Sequence, residues 1–386
     1  MEKVRIGIIG VGNMGSSHAK QLMNKDVPGG ELVAICDSNS DKLKWAKETL
    51  SESVKLFDNT EDFFAFDSID AVIIATPHYD HPVMAIEAFS KGLHVLIEKP
   101  AGVFTKKVRQ MNEVAAKTDK VFGIMYNQRT NPLYQKLKDL IEGGELGEIK
   151  RTNWIITSWY RPQSYYNSGG WRATWAGEGG GVLLNQDPHQ LDLWQWTCGM
   201  PVRVRAFCGF GKNHNIEVED DVTAYVEYEN GATGVFVTST SDTPGTNRLE
   251  VTGDNGKIVI ENDTLTFWRN RVPERQFNAE FTGGFGSPEC WKCEIPINGK
   301  TTDHLGIMKN WVEAILKGTK LLAPGEEGIR GLTISNAMHL SAWTDNWVDL
   351  PMDEDLYVQK LNEKINNSKF KKEVSNVSNL DLSGTF

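Results

Sequence analysis

The segment from Asn185 to His189, Asn-Gln-Asp-Pro-His, places an imidazole and an amide at the start of an apolar, Trp-rich stretch. Asp187 is predicted to be a helix N-cap, with Pro188 at the first helical position and Gln190 completing a capping box. The positive helix terminus disfavours protonation of His189, so a neutral ring that accepts a proton near pH 7 is expected. From this segment alone, the histidine is either a general base or a capping and packing residue.

Two charged residues could assist such a base. Asp192, three residues after the histidine, is expected to orient its ring. Lys99 lies in Glu98-Lys-Pro, at the end of an apolar run. It is either a surface lysine or a cation aimed at a substrate hydroxyl, with Glu98 to orient it, and burial would lower its pKa.

A dinucleotide-binding unit could position these groups. Residues 4–9 form an apolar run, read as a buried strand, and lead into Gly10-Val-Gly12-Asn-Met-Gly15 and a predicted helix at 16–24. A second strand, at 31–36, ends in Asp37, about 20 residues on, as the fingerprint requires. A carboxylate there accepts hydrogen bonds from the adenosine ribose and repels a 2′-phosphate, so NAD is favoured over NADP. The alternative is a doubly wound fold that binds no nucleotide.

The alternation of strands and helices continues to residue 125. Strands are predicted at 54–57, 69–75, 94–97 and 121–125, with helices at 60–66 (capped by Thr60), 81–91 and 105–117. This rhythm predicts an α/β Rossmann domain over residues 1–125, a doubly wound parallel sheet with ligands at the carboxyl ends of its strands. The residues of this domain predicted to contact the cofactor are Gly10, Gly12, Asn13, Met14, Gly15, Asp37, Ser38, Thr76, Pro77, His81, Glu98 and Lys99. His78 and His81 are interpreted as loop and helix-cap residues close to it.

Residues 126–386 are predicted to form an α+β domain with a large, mostly antiparallel open sheet. A helix at 133–142 precedes strands at 149–160, 202–210, 221–229 and 232–240, with turns at Asn230-Gly231 and Asp254-Asn-Gly256. Helices at 187–198, 303–317 and 326–343 are expected to cover one face, leaving the other for self-association. The tail beyond Asp353 is read as a terminal helix.

Seven aromatic residues lie between positions 154 and 175. Aromatic faces suit the C–H faces of sugars, and Arg and Tyr suit their hydroxyls. Trp154 and Trp159 are either sugar-facing or strand core residues, whereas 165–175 is too rich in Gly and polar residues for a core strand and is interpreted as a pocket loop.

The composition narrows the class of protein. The chain has 386 residues and a net charge of −10, which indicates two domains and argues against a nucleic-acid partner. No apolar run approaches the ~20 residues that cross a bilayer, and no signal peptide is recognisable, so a cytoplasmic location is expected. Cys290 and Cys293 match a CxxC spacing but have no second ligand pair nearby, which favours packed or surface thiols over a metal or redox site.

The chain resembles the glucose–fructose oxidoreductase/myo-inositol dehydrogenase (Gfo/Idh/MocA) family over nearly its whole length. The motifs that carry the resemblance are Gly10-x-Gly12-x-x-Gly15, Glu98-Lys99-Pro100, Tyr126-x-x-Arg129 and Gly179-Gly-Gly181 leading to His189. The resemblance implies an NAD(P)-dependent oxidoreductase acting on sugars or cyclitols, usually a dimer or tetramer. It implies that Lys99 is the active-site lysine, His189 the catalytic histidine, and Trp171-Arg172 a pair near the nicotinamide and the substrate.

Asn185 departs from the pattern of many family members, which have Asp four residues before the histidine. Asn keeps one acceptor, gains donors and loses the charge, so it can bind a sugar hydroxyl but cannot relay a proton. More of the acid–base work would then fall on His189 and Lys99. Similar Asn-bearing members oxidise glycosides at a ring hydroxyl, commonly C3, which makes that position a candidate.

The leading hypothesis is NAD-dependent oxidation of a secondary ring hydroxyl of a sugar, glycoside or cyclitol to a ketone. His189 would remove the hydroxyl proton, and Lys99 would stabilise the alkoxide. The residues predicted to bind substrate are Lys99, Tyr126, Arg129, Tyr160, Trp171, Arg172, Asn185 and His189, and Asn127, Trp171 and Arg172 are added to the cofactor site. Two alternatives stay open: an oxidoreductase that retains and recycles its NAD in sugar–sugar redox or oxidative glycoside cleavage, and a non-catalytic dinucleotide-sensing regulator.

Overall fold

The structure, a computed structural model, describes residues 2–372. Its first sheet has six strands: β1 Val4–Ile9, β2 Gly30–Cys36, β3 Lys55–Phe57, β4 Ala71–Ile74, β5 His94–Ile97 and β6 Phe122–Ile124. Their order is β3-β2-β1-β4-β5-β6 and all pairings are parallel, as the sequence predicted. The carboxyl ends of all six strands therefore meet at one edge of the sheet, where such folds bind their ligands.

Five helices alternate with these strands: α1 Asn13–Met23, α2 Ser40–Thr49, α3 Thr60–Phe64, α4 Asp80–Ser90 and α5 Thr105–Ala115. Two details differ from the sequence predictions. The helix α2 had not been predicted; Asn39 caps it by accepting a hydrogen bond from the Asp41 backbone N–H. The cap of α3 is Asn59, whose side chain accepts from the Asp62 N–H, and Thr60 is its first helical residue.

The second sheet has nine strands in the order β14-β13-β12-β11-β7-β10-β9-β8-β15. They are β7 Ile149–Ile156, β8 Arg203–Phe210, β9 Glu219–Glu227, β10 Thr233–Ser239, β11 Asn247–Gly253, β12 Gly256–Glu261, β13 Thr264–Asn270, β14 Cys290–Glu294 and β15 Val348–Asp349. The pair β7–β10 is parallel and the others are antiparallel, so the predicted α+β class is confirmed. The turns at Asn230-Gly231 and Asp254–Gly256 join β9 to β10 and β11 to β12.

The helices that follow β6 are α6 Pro132–Glu142, α7 Gln163–Asn167, α8 Val182–Asn185, α9 Pro188–Cys198, α10 Glu274–Glu280, α11 Asp303–Lys317, α12 Gly328–Thr344 and α13 Glu354–Asn366. Helix α9 packs on one face of the second sheet, where the Trp194 ring stacks on Phe236 at 5.3 Å. Trp154 is fully buried on the same face, so it is a core residue rather than a sugar contact. The expected terminal helix is α13, and the end of the chain, 373–386, lies outside the described residues.

The two domains are joined by hydrogen bonds that fix their relative position. On the α5 side, Asn336 of α12 accepts from the Thr105 N–H at 3.1 Å and donates to the Val103 carbonyl at 3.0 Å. Beside β6, the Ile124 N–H donates to the Ala323 carbonyl at 3.1 Å. These contacts place the start of α9 opposite the strand ends of the first sheet.

Two observations bear on the expectations about a membrane span and about the CxxC spacing. Within residues 2–372, no helix combines the length and apolar character needed to span a membrane. Cys290 and Cys293 both lie on β14, three residues apart, so the pleat directs them to opposite faces of the sheet. Both are free thiols, one exposed and one partly buried, which agrees with the interpretation as surface or packed thiols.

Candidate active site

The glycine loop after β1 leaves space where a phosphate group would lie. A Cβ at Gly10, whose φ is +86°, would stand 2.6 Å from the Ala75 carbonyl oxygen. A Cβ at Gly15 would meet the Gly10 carbonyl at 1.8 Å, because α1 packs closely on the strand. At Gly12, the N-cap of α1, no atom lies within 4 Å of that position, and no side chain caps the helix. The loop therefore offers free backbone N–H groups beside an open space, as an anion site requires.

Asp37, at the end of β2, is held against this loop. One carboxylate oxygen accepts from the Val11 N–H at 2.8 Å, and the other accepts from the Asn39 N–H at 2.9 Å. The residue is partly exposed at the mouth of the loop, and Ser38 beside it is exposed. This geometry fits the predicted ribose contact, because each oxygen keeps a lone pair for a further donor.

The third strand end, at Glu98, carries a buried and fully engaged carboxylate. It is 2.7 Å from Nε2 of His18 on α1 and accepts from the Lys99 backbone N–H at 3.2 Å. Burial alone would raise the pKa of Glu98, but the His18 hydrogen bond and the nearby His304 and Lys99 lower it to about 2. The residue is thus an anion that supports a positive charge beside it.

The placement of His81 does not support the predicted cofactor contact. Its Nδ1 lies 2.7 Å from the Pro100 carbonyl and its Nε2 lies 2.8 Å from the Thr76 carbonyl. Both nitrogens are thus directed at backbone, so the ring ties the end of β4 to the segment after β5. His81 is a residue that shapes the crevice floor.

Lys99 reaches from the first domain to the second. Its ammonium donates to the Asn185 backbone carbonyl at 2.9 Å, which leaves two N–H donors for other partners. Desolvation lowers the pKa of Lys99, opposed mainly by Glu98, and Arg172 and Arg161 lower it further. The predicted approach of Lys99 to the Asn185–His189 segment is therefore present.

His189 lies in the first turn of α9 and is 5% exposed. Neither ring nitrogen has a hydrogen-bond partner among the described residues. The Tyr126 ring packs edge-on against the imidazole at 6.2 Å, so Tyr126 forms a wall of its pocket. Burial lowers the pKa of His189 well below its usual value, and Lys99 and His304 add to this. The ring is therefore neutral, as predicted. The main cause is desolvation, whereas the sequence pattern had indicated the helix terminus.

The structure corrects the predicted roles of Asp192 and Arg129. Both guanidinium–carboxylate hydrogen bonds of this buried pair are short, at 2.7 and 2.6 Å, and a second ion pair joins Arg129 to Glu327. Asp192 therefore pairs with the arginine instead of orienting His189. Arg129 is 1% exposed and also donates to the Leu322 carbonyl, so four of its five N–H donors are engaged within the protein and the structure does not support a substrate contact.

Asp187 occupies the N-cap position of α9, but its side chain makes no capping hydrogen bond, so the predicted capping box is absent. The carboxyl group is fully buried, and burial raises its pKa well above the usual value, with Thr238 and Trp159 as neighbours. Pro188 starts the helix as predicted, since a proline at this position lacks only an N–H that would be unpaired anyway.

The aromatic loop closes over the strand ends. The Trp171 ring lies edge-on to His78 at 5.4 Å, and the Arg172 guanidinium stacks on Tyr165 and on Trp171, each at 4.6 Å. The predicted Trp-Arg pair is thus at the crevice. Tyr160 is 48% exposed and no side-chain hydrogen bond connects it to this cluster, so the structure does not support it as a positioning residue.

The aromatic contact that the sequence left unassigned is Tyr165. Its hydroxyl receives N–H groups from Arg172 at 2.8 Å and from Asn185 and Gln186 at 3.2 Å each. The composition of the loop pointed to a pocket but not to which tyrosine would bridge Arg172 and Asn185.

Glu178 is the second residue that sequence reasoning missed. Its side chain is 2% exposed, accepts from the Asn185 amide, and lies 3.8 Å from the Arg172 guanidinium. Burial raises its pKa, opposed by Arg172 and by hydrogen bonds from Ala173 and Asn185. The only sequence signal was a glutamate set among glycines, Gly177-Glu-Gly-Gly-Gly181.

Unpartnered buried polar atoms mark the crevice as a place for a ligand. Among them are Oγ1 of Thr76, both amide atoms of Asn127 and both ring nitrogens of His189. Thr76 follows β4, Asn127 follows β6, and His189 stands opposite on α9. Buried polar groups in folded proteins are nearly always satisfied, so a polar ligand that bridges the two domains fits these residues.

Comparisons with known proteins agree with this geometry. Residues 4–126 match the family model described as "Oxidoreductase family, NAD-binding Rossmann fold", and residues 134–259 match the GFO/IDH/MocA C-terminal domain. The chain is 28% identical to the scyllo-inositol 2-dehydrogenase (NAD(+)) of Bacillus subtilis, over 67% of this chain and 74% of that protein. It is 29% identical to the D-glucoside 3-dehydrogenase of Escherichia coli, over 59% of this chain and 68% of that protein.

Among solved structures, the WlbA dehydrogenase of Bordetella pertussis, in complex with NADH and UDP-GlcNAcA, superimposes with a TM-score of 0.77. The two chains are 25% identical, and the match covers 91% of this chain and 100% of that one. The agreement extends over both domains and thus over the crevice between them.

Proposed function

The chain belongs to the GFO/IDH/MocA family of NAD-dependent oxidoreductases, and we propose that it oxidises a secondary ring hydroxyl of a sugar, glycoside or cyclitol to a ketone. The observation that carries the proposal is His189, a buried and neutral imidazole with both nitrogens unpartnered, set across a crevice from Lys99. A base and a cationic donor that converge on one space suit the removal of a proton from a hydroxyl group.

The residues of the first domain suit the cofactor. NAD bound there would supply the hydride acceptor that oxidation of a carbinol requires. The N–H groups at Gly12 and at the start of α1 would hold the pyrophosphate, and Asp37 would accept from the ribose hydroxyls and disfavour a 2′-phosphate. Thr76 after β4 and Asn127 after β6 would hydrogen-bond the cofactor through their unpartnered polar atoms.

In the proposed mechanism, His189 accepts the proton of the substrate hydroxyl. Its depressed pKa keeps it unprotonated in neutral solution, so the acceptor is ready before the substrate arrives. Lys99, fixed by the Asn185 carbonyl, directs its remaining N–H groups at the same oxygen and stabilises the negative charge that develops there.

The second domain would position the sugar ring. The Trp171 ring offers a face for C–H groups, and Arg172 and the Asn185 side chain offer polar groups for neighbouring hydroxyls. The similarity to a D-glucoside 3-dehydrogenase and to an inositol dehydrogenase supports a ring hydroxyl as the reacting group, with C3 of a glycoside as the first position to test.

A substrate panel tests this function. Purified protein with added NAD is assayed against cyclitols, free sugars and glycosides by nicotinamide absorbance, and the product is identified by mass spectrometry. Ketone formed in step with NADH supports the proposal. Ketone formed without release of NADH would instead show a retained, recycled cofactor, and no product from any class would contradict an oxidoreductase role.

We also propose that the chain self-associates through the outer face of its second sheet. Ile155, Phe207, Tyr225 and Trp268 point outward from this face and are 37–60% exposed. A sheet of nine strands with aromatic residues on its uncovered face suits a second copy of the same surface. Light scattering should show a dimer or larger assembly, and Phe207→Glu with Trp268→Glu should shift it toward the monomer; an unaffected assembly would contradict this surface.

A further inference from the structure

We propose that Glu178 is a positioning residue that fixes the orientation of the Asn185 amide, so that the amide oxygen accepts a hydrogen bond from a substrate hydroxyl next to the one that reacts. The inference rests on the proposed function and deepens it. It gives a physical cause for the difference between this chain and many family members at position 185. The carboxylate that is absent from position 185 is instead that of Glu178, which contacts the Asn185 side chain.

The first step is the contact between the two side chains. Oε1 of Glu178 accepts a hydrogen bond from Nδ2 of Asn185, and Oε2 accepts from the Ala173 backbone N–H at 2.5 Å. The Arg172 guanidinium lies 3.8 Å from Oε1. The carboxylate is buried and surrounded by donors, so it is held in one place.

The second step is that both oxygens of Glu178 face N–H donors, so the group acts as an ionised carboxylate, which accepts hydrogen bonds and cannot donate them. An amide beside it must therefore present its NH2 group, since the opposite orientation would place two acceptor oxygens in contact. The other N–H of Asn185 points to the Tyr165 hydroxyl at 3.2 Å. Glu178 thus decides which end of the amide faces away from it.

The third step is what remains of Asn185. Both hydrogens of Nδ2 are directed to Glu178 and Tyr165, and among the described residues no hydrogen bond engages Oδ1. The backbone carbonyl of the same residue holds the Lys99 ammonium. Asn185 thereby offers an acceptor next to the cation, which is the hydrogen-bonding role that a carboxylate oxygen would have there.

The same contact explains why Asp does not suit position 185 in this chain. With Glu178 behind it, an Asp would place two carboxylates in a buried contact, and one of them would have to bind a proton. The pair therefore works as one amide and one carboxylate, and exchanging the two groups should preserve the arrangement. Glu178→Gln combined with Asn185→Asp again gives a donor at position 178 and an acceptor at position 185.

The test is a double-mutant cycle of Glu178→Gln, Asn185→Asp and the variant with both changes, on the sugar that the panel identifies. Loss of one charge-assisted hydrogen bond predicts that Glu178→Gln lowers kcat/KM about 10- to 100-fold, mainly through KM. Asn185→Asp should lower kcat/KM further and reduce the resistance to urea. The double variant should recover at least about tenfold of the loss in kcat/KM and most of the resistance to urea.

Glu217→Gln is the matched control, because Glu217 also accepts a backbone N–H from this loop, that of Trp175 at 3.1 Å, but does not contact Asn185. It should leave KM unchanged. Additive effects of the two substitutions, in both kcat/KM and urea unfolding, would overturn the proposal. Urea unfolding can be measured without a substrate. If the effects of the two substitutions on unfolding are not additive but the protein oxidises no sugar, the Glu178–Asn185 contact is supported and the proposed function is overturned.

Discussion

The two walls of the crevice satisfy their polar groups in different ways. On the first-domain wall, Asp37 binds the glycine-loop backbone, Glu98 binds His18, and His81 lies between two carbonyls. On the second-domain wall, His189 has no partner for either nitrogen and Asn185 leaves its amide oxygen free among the described residues. The first wall leaves Oγ1 of Thr76 and two N–H groups of Lys99 free for ligands while its other polar groups hold the fold. On the second wall, the groups that would meet the substrate hydroxyls are themselves free.

The same contrast appears in two buried glutamates. The pKa of Glu98 is lowered to about 2 because His18, His304 and Lys99 surround it. The pKa of Glu178 is raised, because burial outweighs one arginine at 3.8 Å and its hydrogen bonds from neutral groups. Burial acts to raise the pKa of both carboxyl groups, and the groups that face each one decide whether its pKa ends above or below the usual value.

The largest expected effect comes from Arg129→Ala, at the buried ion pair with Asp192. Removal leaves Asp192 buried without its partner, so the free energy of unfolding should fall by about 3–5 kcal/mol in urea titrations. KM of the protein that remains folded should not change, because the arginine contacts no substrate. Arg203→Ala, which breaks a half-exposed pair with Glu227, should leave the free energy of unfolding nearly unchanged. If Arg129→Ala raised KM and left the free energy of unfolding unchanged, the original prediction that Arg129 contacts the substrate would be supported.

Lys99→Met should have the next largest effect, on rate rather than stability. Loss of a donor to the developing alkoxide should lower kcat about 100- to 1000-fold. Lys99 donates only when protonated, and its pKa is lowered, so the wild-type rate should fall with rising pH earlier than an ordinary lysine allows, and the variant should lack this limb. Lys106→Met, in an exposed pair with Asp355, should leave the rate unchanged. Unimpaired turnover in Lys99→Met would exclude the lysine from the chemistry.

The smallest expected effect, on the pH dependence of the free energy of unfolding, tests whether His189 is neutral in the folded protein. The folded-state pKa of His189 lies well below the unfolded value, so below pH 6.5 the unfolded chain binds a proton there that the folded chain does not. Stability is therefore lost as the pH falls, by about 1.4 kcal/mol per pH unit from this residue. His189→Gln should reduce the slope of unfolding free energy between pH 5 and 6.5 by that amount. An unchanged slope would mean that the folded ring is protonated.

The first wall could be predicted from sequence far better than the second. Gly10 has a positive φ, Gly12 leaves the helix start open, and Gly15 meets the Gly10 carbonyl of its own loop, so a short local motif is enough to predict them. Lys99 and His189 came from motifs too, and the structure brings their segments together. The roles predicted for Asp192 and Arg129 were wrong, because the two residues pair across 63 positions. No local spacing could show that each satisfies the other.

Glu178 was missed for the same reason. Its role depends on a contact with Asn185 that forms only when the loop folds back on itself, and a glutamate among glycines is most simply read as a surface residue. Asp187 was assigned as a cap from a local rule, but its side chain turned into the core. Local patterns predicted the elements and the backbone of the site, while tertiary packing determined which side chains stay free.

The division of labour between the walls is tested most directly by the rate of NAD reduction in a single turnover of His189→Ala. The rate is measured at saturating NAD and substrate, after the NAD dissociation constant of the variant has been determined. If His189 is the base, the rate should fall about 100- to 10,000-fold while the dissociation constant stays within about twofold of wild type. A wild-type rate, or a loss of NAD binding as large as the loss of rate, would contradict the assignment.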